Sequence, residues 1–301
     1  MDLWIPITVC AAFSQNIRSA LQKHLKGELG TIGATFVRFG YGLPFAAVYL
    51  AVLHFGFGMA IPKPSFVFAG FVALGGIAQI IATFLLVHLF SHKNFTVGTA
   101  YSKTEPILAA LFGWVFLGET IGLWSGAAIM VGVIGVIVIS LARLGLQGIT
   151  IRSTLLGRPA LIGLASAAFF GISAAAYRAG SLSLAEGVVF IRAAFALVCA
   201  TAFQTLVMAV WMALKARSEL TASLRTWRVS IWVGLTGVSG SVGWFTAMTL
   251  QQVAYVRALA QVELIFTLAA SVFLFREQIL KMEVFGCALI AGSVVVLILS
   301  I

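Results

Sequence analysis

Charged side chains lie inside stretches of the sequence that are otherwise apolar. Two stretches carry an acid and a base together: Lys103 with Glu105, and Arg257 with Glu263. Charge at membrane depth is costly, so such residues are candidates for a functional role. Donors and acceptors in one low-dielectric cavity could hold the carboxylate and the ammonium of a zwitterion. A structural ion pair that ties helices together is an equally open interpretation of the two glutamates.

Amide and aromatic side chains in the same stretches extend this set. Gln15 and Arg18 are three residues apart and share one helix face, which either lines an aqueous cavity or makes hydrogen bonds between helices. We expect ligand contacts from Gln15, Tyr41, Gln79, Tyr101, Lys103, Tyr177, Trp244 and Gln261. Coupling or structural charges are expected at Arg18, Glu105, Arg257 and Glu263.

The elements that position these residues are predicted to be membrane-spanning helices. Of the 301 residues, 61% are hydrophobic and 9% are charged, whereas charged residues make up about a quarter of a soluble domain. A spanning helix needs about 20 apolar residues. Apolar runs of this kind occur at 4–23, 31–54, 66–91, 95–117, 122–142, 158–180, 185–214, 227–250, 253–275 and 282–301. They predict an all-α polytopic membrane protein with ten transmembrane helices, numbered here as spans 1 to 10.

Several other classes of protein are disfavoured. The net charge of +10 comes from lysines and arginines scattered between apolar runs, so no nucleic-acid partner is expected. Cys10, Cys199 and Cys287 lie in apolar runs without the spacing of metal ligands. No nucleotide-binding loop and no HExxH motif occurs in the sequence. We therefore expect no metal, no cofactor and no enzymatic activity, and a membrane scaffold or a lipid-modifying enzyme is the alternative to transport.

The chain divides near its middle into two similar halves. A shift of 158 positions places Glu105 over Glu263 and Glu119 over Glu277. Because each half holds five spans, the second half enters the membrane in the opposite sense, which is the inverted-repeat architecture of transporters. We expect a first repeat at residues 1–143, a linker at 144–157 and a second repeat at 158–301.

Four further charged residues are assigned structural roles. Arg38 and Arg192 occupy equivalent positions in spans 2 and 7, where a long side chain is expected to snorkel to the membrane interface. Glu119 and Glu277 lie in the turns before spans 5 and 10, where a carboxylate can cap the next helix.

The distribution of basic residues predicts the orientation of the chain. Twelve lysines and arginines lie in the connections after odd-numbered spans, whereas Lys63 is the one such residue after an even-numbered span. Because cytoplasmic loops are enriched in these residues, the odd connections are expected in the cytoplasm and both termini outside.

The segment EPILAALFGWVFLGETIGLWSGAAIMVGVIGVIVIS, from Glu105 onward, resembles the second part of an EamA domain. It has the Glu-Pro of the fourth helix, a Gly-Glu turn and a glycine-rich fifth helix. ELIFTLAASVFLFREQILKMEVFGCALIAG, from Glu263, resembles a second copy, with Leu264 in place of the proline and Arg276 in place of the turn glycine. The chain thus resembles ten-helix members of the drug/metabolite transporter superfamily.

This resemblance implies a basket of helices, with spans 1–4 and 6–9 around a cavity and spans 5 and 10 outside. It also implies cytoplasmic termini, which conflicts with the charge count. Bacterial exporters of aromatic amino acids, with tolerance for methionine and threonine, are the most similar members. The expected protein is therefore a monomeric, multi-pass transporter in the lipid bilayer of the bacterial inner membrane, with amino acids as its small-molecule substrates. Proton-coupled export of drugs or other small metabolites is the alternative.

Six side chains of the predicted cavity are each expected to contact one part of the substrate. Gln15, Lys103 and Gln261 are expected to hold the polar end of the substrate. Tyr101, Tyr177 and Trp244 are expected to flank its side chain.

Overall fold

The computed structural model describes residues 3–89, 101–145, 157–266, 268 and 280–300. The described elements are α1 (Trp4–Leu25), α2 (Thr31–Gly40), α3 (Gly42–Ala51), a π turn (Val52–Gly56), α4 (Phe66–Leu89), α5 (Glu105–Leu117), α6 (Leu123–Gly145), α7 (Arg158–Leu182), α8 (Val189–Lys215), α9 (Arg217–Arg225), α10 (Trp227–Leu250), α11 (Val253–Leu259), a 3-10 turn (Ala260–Val262) and α12 (Lys281–Leu299). No strand occurs in this part of the chain.

Six helical segments of the described ranges are long and apolar enough to cross a membrane. They are Thr31–Gly56, Phe66–Leu89, Leu123–Ala142, Arg158–Leu182, Val189–Lys215 and Lys281–Leu299. Many large apolar side chains on them face outward, for example Phe66 at 99% exposure and Trp124 at 73%. Such a surface is suited to lipid rather than to water. The predicted class, an all-α polytopic membrane protein, is confirmed.

The predicted spans agree with the helices where both are described. Span 8, residues 227–250, coincides with α10, and span 1 differs from α1 only at its carboxyl end. Spans 4 and 9 extend into residues outside the described ranges. The total of ten spans, the division into repeats and the orientation in the membrane stay predictions.

Two of the spans that carry charge are interrupted at the charged residues. Helix α5 begins at Glu105, with Pro106 in its first turn, where the missing N–H of proline breaks no helical hydrogen bond. Helix α11 gives way to a 3-10 turn that contains Gln261 and ends before Glu263. Interrupted helices place unpaired backbone groups and charged side chains at membrane depth, a common construction of transporter sites.

Close helix pairs hold the bundle together. Helix α1 packs along α10, α4 along α7, and α6 along α12. At the α6–α12 crossing, a Cβ atom added to Gly135 would lie 2.7 Å from the carbonyl oxygen of Gly286. Glycine at this position therefore permits a backbone contact that any other residue would prevent. Helix α5 packs on both α7 and α11, which brings its charged start next to α11.

Helix α9 was not predicted from the sequence, because its residues are mostly polar. It is held against α2 by two contacts. A carboxylate oxygen of Glu219 accepts the backbone N–H of Gly33 at 2.8 Å, and the Tyr41 hydroxyl donates to the carbonyl of Ser223 at 3.0 Å. A carboxylate in the first turn of α2 also stabilises that helix through its dipole. The connection between spans 7 and 8 is thus fixed to the amino-terminal half of the chain.

Candidate functional site

Glu263 lies at the meeting point of three elements. Its side chain is 4% exposed and forms an ion pair with Lys103. The amide nitrogen of Gln15 lies 3.4 Å from its Oε2 atom, and the Asn16 amide donates to its backbone carbonyl at 3.1 Å. A buried carboxylate needs a charge partner and further donors. Helix α1 supplies the donors, and the turn before α5 supplies the charge partner.

A second ion pair lies beside the first. The Nε atom of Arg257 is 3.0 Å from Oε1 of Glu105. The two pairs are crossed between the halves of the chain: Lys103 of the first half pairs with Glu263 of the second, and Arg257 of the second pairs with Glu105 of the first. A movement of one half against the other can therefore change the distances within both pairs.

Trp244 joins the amide of α1 to the second ion pair. Its indole N–H donates to Oε1 of Gln15 at 3.1 Å, and the Arg257 guanidinium carbon lies 4.7 Å from the centre of its ring. Trp244 is buried, so this cation–π contact is shielded from water and strengthened accordingly. The amide nitrogen of Gln15 thus faces Glu263, and its amide oxygen accepts from Trp244, so both amide atoms have a defined partner.

These groups border a cavity of about 150 Å³ between α1, α5 and α11. An apolar cavity of about this volume holds a benzene ring. We call it the paired-charge cavity, and its charged and amide lining consists of Gln15, Asn16, Arg18, Lys103, Glu105, Arg257 and Glu263. Phe170 of α7 and Leu86 of α4 add apolar surface. The structure thus brings together six of the residues singled out from the sequence.

Gln79 and Tyr177 lie together in a second polar cluster with Gln204. The Tyr177 hydroxyl donates to Oε1 of Gln79 at 3.2 Å, and the Gln204 amide donates to the same atom at 2.8 Å. We call these three residues the amide–tyrosine cluster. Tyr177 is buried against the Phe245 ring, with centroids 4.5 Å apart, and does not border the paired-charge cavity. The sequence analysis does not name Gln204 as a contact residue, although an amide in an otherwise apolar span indicates a buried polar contact.

Three other predicted contact residues have different surroundings. Tyr41 binds α9, as described above, and Tyr101 packs near Ala160 and Leu141. Gln261 is 3% exposed and lies against α6, where a Cβ atom on Gly132 would be 2.3 Å from its amide oxygen. It reaches a small void beside Glu263, and neither its amide nitrogen nor its amide oxygen has a hydrogen-bond partner among the described residues.

Two structural roles predicted from the sequence are wrong. Arg38 does not snorkel: it is 5% exposed and donates to the Thr83 hydroxyl at 2.9 Å, because a neighbouring polar group compensates the guanidinium inside the bundle. Glu119 forms an ion pair with Arg178 rather than capping α6. Arg178 also donates to the carbonyl of Gln251 at 2.6 Å, so it links three segments. Glu277 lies outside the described residues.

The described ranges contain no group of three or more histidine, cysteine, aspartate or glutamate side chains that could hold a metal ion. The charged and amide side chains that line the paired-charge cavity can recognise a ligand by charge and hydrogen bonding. Two acids, three bases and two amides around a cavity can bind both ends of a zwitterion or a single anionic group.

The fold and the cavity define a class: a polytopic α-helical membrane protein with ionisable side chains around a cavity inside the bundle, as in transporters. Comparison with family models supports this class directly. Residues 2–141 match the EamA-like transporter family, which confirms the resemblance noted in the sequence. The amino-terminal part of the chain is thus similar to a family of drug/metabolite-type transporters.

Solved structures support the fold over nearly the whole chain. In all, 28 chains of solved structures match. One, described simply as the crystal structure of a protein, superposes with a TM-score of 0.66 at 18% identity, covering 99% of this chain and 98% of its own. At this identity the likeness establishes the fold alone. No curated protein matches the chain.

Proposed function

We propose that this protein is a secondary transporter that exports amino acids by alternating access. Aromatic and other neutral amino acids, such as methionine and threonine, are the proposed substrates. The proposal includes two inverted repeats, residues 1–143 and 158–301, that rock about the paired-charge cavity. We further propose a monomer in the inner membrane of a bacterium.

The crossed ion pairs are the observation that carries this proposal. Each pair joins one half of the chain to the other, so rocking of the halves can lengthen either of them. A buried charge left without its partner costs several kcal/mol, about 3–5 where one partner is removed. A zwitterion reduces this cost, because its carboxylate can replace Glu263 at Lys103 while its ammonium binds the released carboxylate.

The surroundings of the cavity are compatible with the side chains of these substrates. Trp244 and Phe170 provide aromatic surface beside the charged groups. Gln15 is held by Trp244 and reaches Glu263, so it can hydrogen-bond the polar end of a substrate. Phe170 therefore takes the place of Tyr101 and Tyr177 in the proposed wall around the substrate side chain, and Trp244 lies behind Gln15 and Arg257.

Proton-coupled export of drugs or other small metabolites is the second candidate. It is favoured by the burial of Glu263 beside a cavity, since a carboxylate in this position could carry a proton when Lys103 moves away. The two candidates differ in their response to a pH gradient.

The test is uptake into proteoliposomes of the purified full-length protein. Radiolabelled phenylalanine, methionine and threonine are offered with and without a pH gradient across the membrane. Saturable uptake without a gradient supports amino-acid transport. Uptake that requires the gradient supports the proton coupling of the second candidate, with amino acids as the substrates. Background uptake of all three, in vesicles that contain folded protein, would overturn the amino-acid proposal.

A further inference from the structure

Basic side chains outnumber acidic ones in and beside the paired-charge cavity. Arg18, Arg38 and Arg257 are 3%, 5% and 8% exposed, and Lys103 completes a set of four bases. The acids of this region, Glu105 and Glu263, are both engaged in the crossed ion pairs. Among the residues that the structure describes, this region therefore carries two positive charges more than its acids balance.

Arg18 and Arg38 carry this excess. Within the described ranges, neither forms an ion pair with a carboxylate. Arg38 donates to the Thr83 hydroxyl, a neutral acceptor. Arg18 donates to the Ser19 hydroxyl at 3.3 Å, and its buried Nε atom has no hydrogen-bond partner.

The two arginines approach each other at Gly237 of α10. A Cβ atom added to Gly237 would lie 3.5 Å from Cδ of Arg18 and 3.6 Å from Cγ of Arg38. Two like charges held close together in a low-dielectric region repel each other. Of the two, Arg18 borders the paired-charge cavity, so a ligand there can reach it.

An anionic ligand would reduce the repulsion between the positive charges of Arg18 and Arg38. A guanidinium binds a carboxylate through two parallel hydrogen bonds, and Arg18 borders the cavity with no carboxylate partner among the described residues. A zwitterion would leave the excess positive charge unchanged, whereas a monoanion reduces it by one. The charge balance therefore favours a ligand without an ammonium group.

We propose that Arg18 is the anion-binding residue of the paired-charge cavity, and that the preferred ligands are small carboxylates with a net negative charge. This inference rests on the cavity of the proposed function and departs from that function in the substrate class, with anions in place of zwitterionic amino acids. The carboxylate binds Arg18, and the crossed ion pairs stay available to the rocking motion.

Three compounds that share one phenyl ring test the inference. Binding of phenylpyruvate, phenylalanine and phenethylamine to the purified full-length protein is measured by isothermal titration calorimetry. Phenylpyruvate, the monoanion, is expected to bind at least tenfold more tightly than phenylalanine, and phenethylamine should give no binding heat. Equal affinities, or tighter binding of the amine, would overturn the proposal.

A variant and a matched control assign the effect to Arg18. Arg18→Gln is expected to weaken phenylpyruvate binding at least tenfold. Arg192→Gln serves as the control, since Arg192 is also a span arginine with a buried Nε atom that lacks a partner, yet it lies outside the cavity. If Arg18→Gln fails to fold, Arg18→Lys keeps the charge, loses the planar fork and should give an intermediate loss. Equal affinities of the Arg18 and Arg192 variants would contradict the assignment.

The results for ligand class and for transport are separable. Phenylpyruvate binding that depends on Arg18, without uptake of any amino acid, would support the anion site and overturn amino-acid export. Saturable phenylalanine uptake, together with phenylpyruvate binding that Arg18→Gln does not change, would support amino-acid export and overturn the anion site.

Discussion

The indole N–H of Trp244 donates a hydrogen bond to the side-chain oxygen of Gln15, 229 positions away in the sequence. This bond joins α10 to α1 and fixes which end of the Gln15 amide faces Glu263. Because a glutamine can rotate by half a turn at little cost, its polarity here is set by the tryptophan. The orientation of the amide is thus a property of the assembled bundle.

Replacing Trp244 is expected to impair transport strongly. Trp244→Ala removes both the hydrogen bond to Gln15 and the ring that faces Arg257, so initial uptake into proteoliposomes should fall at least tenfold. Trp244→Phe keeps an aromatic ring and should lose less. Trp232→Ala, on the same helix with its side chain 57% exposed, is the control and should transport normally. Full activity of Trp244→Ala would contradict a role of this residue at the site.

Much of the fold was predictable from the sequence because apolar runs of spanning length have few alternatives to helices. The start of α7 at Arg158, after a polar stretch, illustrates this agreement. Helix α9 was missed because it lies at the edge of the bundle and its position depends on Glu219 contacting α2. Hydropathy carries no information about such a contact.

The sequence predicts which residue types form the candidate site, but it does not predict which residues pair with each other. Lys103 and Glu263 were both singled out as charges inside spans, but the partner of each depended on how the halves meet. Tyr41 and Tyr177 show the limit of the approach. An aromatic residue in a span can face the cavity, another helix or lipid, and the sequence pattern around these two did not distinguish the three.

The amide–tyrosine cluster is expected to stabilise the bundle. Gln204→Leu would remove the amide that donates to Gln79 at 2.8 Å and to the Tyr177 hydroxyl at 3.1 Å. Leaving buried polar groups without partners costs about 1–3 kcal/mol. The melting temperature of the purified variant in detergent should therefore fall.

The neighbouring residue provides a matched control for this change. The Thr205 hydroxyl is buried and has no hydrogen-bond partner, so Thr205→Val removes a polar atom that gains nothing from folding. This variant should melt at the same temperature as the parent protein or higher. If both variants lost stability equally, the hydrogen bonds of Gln204 would not explain its effect.

Two glycines of α4 should differ in their tolerance of a methyl group. A Cβ atom on Gly75 would lie 2.7 Å from Cε1 of Tyr177, whereas nothing lies within 4 Å of one on Gly70. Tyr177 is held by the amide–tyrosine cluster and cannot retreat freely. Gly75→Ala is therefore expected to cost about 1–3 kcal/mol, and Gly70→Ala should be neutral or stabilising because alanine is the better helix former. The readout is the melting temperature of each variant, and equal values would contradict the packing argument.

The crossed ion pairs can be tested for a role beyond stability. Glu105→Gln and Arg257→Met each leave one buried charge without its partner, which costs about 3–5 kcal/mol, so both single variants should melt earlier and transport poorly. The double variant leaves neither member of this pair unpaired, and methionine keeps most of the apolar stem of the arginine side chain. Its melting temperature should largely recover, because replacing a whole buried pair is often neutral.

Transport by the double variant then separates the two interpretations of these residues. If Glu105 and Arg257 contribute charge to the rocking motion, uptake should stay at least tenfold below the parent protein although stability has returned. If the pair serves only to hold α5 and α11 together, uptake should return with stability. The comparison is made at equal amounts of reconstituted protein, with phenylalanine as the substrate, so a difference in rate reflects the cavity and not the yield of folded protein.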